Sequence, residues 1–226
     1  DELKRRAGAD VLIQTPDVQS PMDIAALIWE KGRLFMGMFE APEAVKELSH
    51  KVYQLLTAFL DEWFARYGKQ HIAHWPDYYM EQGMTLSEDE IGAVSTDQFD
   101  EFFLPELVAL SQRYGGMGMH CCANARHQWD GIKKIPGLKL LNLNQPIEII
   151  MEAFELFGSH VAMMNHHQMG THLPVDAMNQ LPGGARQAHQ PRSCLPSPDS
   201  NAPMRLPFLR PKDPAAPRPR PAAAPA

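Results

Sequence analysis

The residues with the most chemistry to offer lie in Gly115-Gly116-Met117-Gly118-Met119-His120-Cys121-Cys122-Ala123-Asn124. The run reads as a short apolar strand, entered through glycines and ending on a His and a Cys two positions apart. Residues i and i+2 of a strand face the same side. His120 and Cys122 are therefore predicted to face one site, and Cys121 to point away. Imidazole and thiolate are two of the ligands that zinc prefers. A His and a Cys also serve as buried structural residues, and the pair alone does not separate the two readings.

Positioning such a pair takes a scaffold, and the chain alternates regularly up to residue 170. Strands are predicted over residues 9–14, 70–75, 117–122, 138–143 and 160–165. Ser20 and Pro21 open a helix as N-cap and first helical residue. A long helix spans 42–67, with Val45, Leu48, Val52, Leu55, Leu56, Phe59, Leu60 and Trp63 at helical spacing. Gly68 is placed to end it. Ser95-Thr96-Asp97-Gln98 has the form of a capping box, with Phe99, Phe102, Phe103, Leu107 and Leu110 inward. Shorter helices are predicted over 125–134 and 146–157, and a long loop from the second strand to residue 92. Such alternation predicts an α/β fold with a parallel sheet. Five strands with their helices fit an incomplete (β/α)8 TIM barrel, about five βα units, better than a doubly wound sheet. No GxGxxG or Walker pattern follows any strand.

Beyond residue 170 the composition changes. Thirteen of the 20 prolines fall in residues 171–226, and 211–226 is almost only Pro, Ala, Arg and Lys. The reading is a barrel domain over 1–170 and a disordered tail over 171–226, either flexible or out of frame with the barrel. The tail carries seven Lys/Arg and three Asp, or +4, so the body carries −10 and the chain a net −6. An acidic body argues against a nucleic-acid partner. No apolar run is long enough for a membrane span. Three cysteines, two of them adjacent, make no disulfide framework, and a reducing cytoplasm is expected. The charged start, Asp1-Glu2-Leu3-Lys4-Arg5-Arg6, reads as the inside of a helix in a longer protein.

Other candidates flank the predicted strands. His74, Asp77, Tyr78 and Tyr79 leave the end of the second strand, either to contact substrate or as a solvated loop with aromatic anchors. Ser87-Glu88-Asp89-Glu90 reads as a solvated charge run. Asn142 and Asn144 end the fourth strand, and Asn165 and His166 the fifth, as possible pocket donors. Asn144 serves equally well as the N-cap of the helix that holds Pro146. Met117, Met119, Met163 and Met164 read as core filler, and His50 and His127 as surface residues.

In order and spacing, three of these segments resemble the uroporphyrinogen decarboxylase superfamily. Ser20-Pro21-Met22-Asp23 through Phe39-Glu40-Ala41-Pro42-Glu43 resembles its "SPl…l…ePe" helix pair. Ser95-Thr96-Asp97-Gln98-Phe99-Asp100-Glu101-Phe102-Phe103-Leu104-Pro105 resembles its "SPe.f.eF.lP" helix. His120-Cys121-Cys122-Ala123-Asn124 resembles its "H-x-C-G-N" strand end. The resemblance covers residues 10–168 and implies a (β/α)8 barrel with one of two chemistries. One is decarboxylation of uroporphyrinogen without a cofactor, by cationic and carboxylate groups around the pyrroles. The other is zinc-dependent methyl transfer from a corrinoid to a thiol, as in corrinoid:coenzyme M methyltransferases. The second branch implies His120 and Cys122 as ligands, with Cys194 at about the family's distance for the third, and a corrinoid carried on a partner protein. Its substrate is a small thiol, against a tetrapyrrole for the first. Methyl transfer is the expected activity. The alternatives are the tetrapyrrole decarboxylase, and a truncated copy that is inactive or serves as a binding subunit for a corrinoid protein.

Overall fold

The computed structural model describes residues 2–8, 11–74, 78–158 and 161–165. The chain clusters into two units, Asp1–Cys194 and Leu195–Ala226, and every described residue belongs to the first. The boundary predicted at residue 170 lies outside the described residues.

After a short helix α1 (Glu2–Ala7), the predicted cap at Ser20 forms. Its hydroxyl accepts the Asp23 N–H at 3.0 Å and Pro21 leads α2 (Pro21–Trp29). The chain then turns at Glu30, the one non-glycine residue with positive φ (74°) among the described residues. Its carboxylate accepts the N–H groups of Gly32 and Arg33 and so caps α3 (Lys31–Glu40). Helix α4 (Pro42–Tyr67) ends at Gly68, whose φ of 89° suits glycine. Its buried stripe is Val45, Val52, Leu56 and Leu60, whereas Leu55 and Phe59 lie exposed.

Strands β1 (His71–Ile72) and β2 (Tyr79–Met80) pair antiparallel. Next come β3 (Met84–Ser87), α5 (Thr96–Gln98), a π-helical turn (Phe99–Phe103) and α6 (Leu104–Tyr114). The remaining elements are β4 (Met117–Cys121), α7 (Trp129–Ile132), β5 (Leu138–Leu143), α8 (Ile147–Phe157) and β6 (Ala162–Asn165). The sheet is four parallel strands in the order β3-β4-β5-β6. The fold is thus mixed α/β, mostly helical, with a small parallel sheet that does not close among the described residues. No described helix is long and apolar enough to cross a membrane.

Three strand expectations need correction. Residues 84–87, predicted as loop, form β3, buried on both faces. Of residues 9–14, only Gln14 pairs, in an isolated parallel bridge to Ile72, and residues 9 and 10 lie outside the described residues. The stretch around His71 is a two-residue strand turned back on Tyr79–Met80. The capping box is present in full, Ser95 and Gln98 each bonding the other's backbone.

The two faces of the sheet differ. Met84, Leu86, Met117, Met119, Cys121, Leu141 and Leu143 join the helical residues Met22, Leu34, Leu107, Leu110 and Phe154 in one core. Within it Phe99 stacks on Phe103, ring centres 6.1 Å apart, and is fully buried. Phe99→Ala is expected to cost about 3–5 kcal/mol, read as a lower denaturant midpoint with unchanged slope. On the opposite face Thr85, Gly118 and Leu140 stand in register, followed by Ser87, His120 and Asn142. Leu140 there packs with Ala73, Met80 and Tyr78. Gly118 has no room for more: a Cβ would lie 2.9 Å from the Thr85 Cγ2 and 3.0 Å from the Leu140 Cβ.

His71 is buried against Phe64, with Nδ1 at 3.1 Å from the Lys69 carbonyl. Burial lowers its basicity below the usual value of 6.5, and the Lys69 carbonyl only partly offsets this. The unfolded chain therefore takes up this proton first as pH falls below about 6.5. Stability lost between pH 7 and pH 5 should be smaller in His71→Leu than in the wild type, measured by urea unfolding at both pH values.

Candidate metal centre

Strand β4 delivers its two chemical side chains as the alternation predicts. Cys121 turns into the core, while His120 and Cys122 meet on the other face, Nε2 to Sγ 2.9 Å. His120 is 5% exposed and Cys122 is exposed. Asn142, fully buried and in register on β5, bonds its side-chain oxygen to His120 Nδ1. An amide oxygen only accepts, so Nδ1 carries the proton and Nε2 presents its lone pair. Metal-binding histidines are held in this way by a partner on the far nitrogen.

The third group comes from the loop after β3. The Asp89 carboxylate accepts the Cys122 N–H, and its oxygen, His120 nitrogen and Cys122 sulfur lie within 4.8 Å of one another. Asp89 is itself pinned from α2. The Asp23 carboxylate accepts the N–H groups of Asp89 at 2.8 Å and Glu90 at 3.0 Å, and the Glu88 N–H bonds the His120 carbonyl at 2.8 Å. Glu88 is buried to 1% exposure, beside Asp23 and Ser20. Burial, then the charge of Asp23, holds its carboxyl well above the carboxylate range, so it stays protonated and donates to Asp23. Burial raises Asp23 as well, against the hydrogen bonds it receives.

The Cys122 sulfur is also held up, first by partial desolvation, then by Asp89, with Asp17 adding to it and a hydrogen bond from Asn144 opposing. Carboxylates on this side of the sulfur work against a bare thiolate and in favour of a bound cation. The donor set of one imidazole, one thiol and one carboxylate suits zinc. The span of 4.8 Å fits ligands around one ion, and the exposed side of Cys122 leaves an approach for a further ligand.

The structure brings together only part of the predicted set. His120, Cys122 and Asn142 converge. His74 lines a shallow recess with Asp17, Ser87 and His120. Tyr78 packs on Leu140, Ala73 and Met80, and Tyr79 sits in the hairpin of β1 and β2. Asn165 is in register with Leu143, the row of Cys121 and not that of His120. Asp77, His166 and Cys194 lie outside the described residues. Asn144 does not cap α8: Pro146 holds that position without a side-chain bond, and Asn144 turns to Cys122. The acidic run was predicted to be solvated, yet Ser87 and Glu88 are buried and Asp89 faces the site. Asp17, Asp23, Asp89 and Gln145, which donates to the Cys122 carbonyl at 3.0 Å, are absent from the predicted site. Asp23 carried a local hint, since a carboxylate in a helix's first turn is ordinary, but its role depends on a loop 66 residues away.

A second cavity, about 480 Å³, opens at the other ends of the strands, between the C-termini of α4 and α6. Arg113 and Tyr114 both bond Asp61 there, Lys69 also lines it, and no His or Cys does. Comparison with protein-family models, curated proteins and solved structures finds no match for this chain.

Proposed function

We propose that this chain is part of a (β/α)8 barrel of the uroporphyrinogen decarboxylase type, and that it binds zinc to transfer a methyl group from a corrinoid to a thiol acceptor. The observation that carries the metal is the convergence of His120, Cys122 and Asp89 beyond the C-terminal ends of a parallel sheet, with His120 already held by Asn142. Barrel enzymes place their sites at this end. The methyl-transfer half rests on the sequence resemblance.

His120 would offer Nε2, Cys122 its sulfur and Asp89 a carboxylate oxygen. Zinc bound there supplies a Lewis acid that keeps a substrate thiol as its thiolate at neutral pH. The protein's own part is positional. Asn142 fixes the His120 tautomer, and Asp89 ties down the Cys122 backbone. Asp23, with the Glu88 proton, holds the Asp89 loop against the strand. The corrinoid would arrive on a partner protein. A reducing compartment such as the cytoplasm suits the free thiols of Cys121 and Cys122.

The tetrapyrrole decarboxylase is the second reading, and the charge of the site disfavours it. That chemistry needs cationic groups around the pyrroles, whereas Asp17 and Asp89 flank the sulfur and no Lys or Arg lines the recess among the described residues. Zinc titration of the metal-free chain separates the readings, the inactive or binding-subunit copy included. One zinc per chain, with a slow methyl transfer to a thiol from methylcobalamin, is the expected result. A chain that takes no zinc and still converts uroporphyrinogen would reject the proposal.

A further inference from the structure

The recess beside His120 is lined by Asp17, His74 and Ser87 among others, with no Lys or Arg among its described residues. Asp17 is exposed and is held in place: Ser87 Oγ donates to its carboxylate at 3.1 Å and Gln19 Nε2 at 3.4 Å. Ser87 stands in register with His120, so Asp17 is fixed to the same row that carries the imidazole. Asp89 stands against Cys122. Of the basic side chains nearby, Lys31 is paired with Glu90 at 2.7 Å and Arg126 with Glu152. A thiol that reaches the open side of the metal would therefore bring its remaining substituent close to two carboxylates. An anionic substituent meets repulsion there, and a cationic one meets attraction.

Resting on the metal reading above, we infer that the acceptor is a small neutral or amine-bearing thiol, and that Asp17 is the specificity residue that turns away thiols with a carboxylate or sulfonate. Asp17 is a selector and not a ligand, since Asp89 supplies the carboxylate at the metal. One unit charge beside another at the edge of solvent changes affinity by about tenfold at low salt.

The test uses the full chain loaded with Co(II), whose thiolate charge-transfer absorption reports each sulfur that binds. Cysteamine, 2-mercaptoethanol and 3-mercaptopropionate serve as cationic, neutral and anionic probes of similar size. The expected Kd values rise in that order, with about tenfold between the first and the last at low salt, shrinking as salt is added. Asp17→Asn, which keeps an oxygen for Ser87, should close most of that gap. Asp130→Asn, an exposed acid on α7, should leave the order as it is. Equal Kd values, tighter binding of 3-mercaptopropionate, or a gap that persists in Asp17→Asn would each overturn the inference while leaving the metal in place. A chain that takes up no Co(II) overturns the metal reading, and this inference with it.

Discussion

Cys122→Ser and His120→Ala are expected to weaken zinc binding by at least about a hundredfold, because loss of even an outer partner costs 10–100-fold. Asn142→Leu, which removes such an outer partner, should fall within that lower range. The reasoning is geometric. His120 Nε2 and Cys122 Sγ are 2.9 Å apart on one strand face, and Asn142 holds the far ring nitrogen. Competition with a chromogenic chelator measures all three. If Asn142→Leu bound zinc as tightly as the wild type, the ring would not owe its orientation to Asn142. If Cys122→Ser did so, the metal would not lie at this sulfur.

Asp23→Ala is expected to be the most damaging change outside the hydrophobic core. It leaves the N–H groups of Asp89 and Glu90 without their acceptor and the Glu88 carboxyl with Ser20 alone. A buried group deprived of a partner costs about 1–3 kcal/mol; Asp89 and Glu90 are half-buried and fall at the low end, so a loss of about 3–5 kcal/mol follows for the three. For a domain of this size that lowers Tm by roughly 10 °C. Zinc affinity should fall as well, because the loop that presents Asp89 is no longer held to α2. Thermal unfolding of the metal-free chain isolates the first effect and chelator competition the second. A variant with wild-type Tm would mean that the Asp23 contacts are replaced by solvent at little cost.

The elements that sequence reading captured are those whose signals are local. Helix α4 announces itself through Pro42, its apolar spacing and Gly68, and the Ser95–Gln98 box needs only four residues. Strands β4 and β5 are apolar runs between turn residues. Strand β3 escaped because Met84-Thr85-Leu86-Ser87 is buried on both faces, which leaves no clear alternation to read in four residues. The site divides along the same line. His120 and Cys122 are neighbours in sequence, and their shared face follows from strand periodicity. Asp89 is 33 residues from Cys122, and Glu88 is buried because its partner Asp23 lies on another element. An acidic run is normally solvated, and nothing in Ser87-Glu88-Asp89-Glu90 itself says that a distant carboxylate and a strand will draw it inward. Cys194 entered as third ligand through the family resemblance. Cys194 lies outside the described residues, and among those described Asp89 is the group that stands with His120 and Cys122.

X-ray absorption at the zinc edge on the loaded full chain tests the central claim most directly. The account predicts a single sulfur at about 2.3 Å together with nitrogen and oxygen ligands at about 2.0–2.2 Å, and loss of the sulfur shell in Cys122→Ser. Two sulfurs would contradict Asp89 as the third ligand, and a shell without sulfur would contradict the site itself.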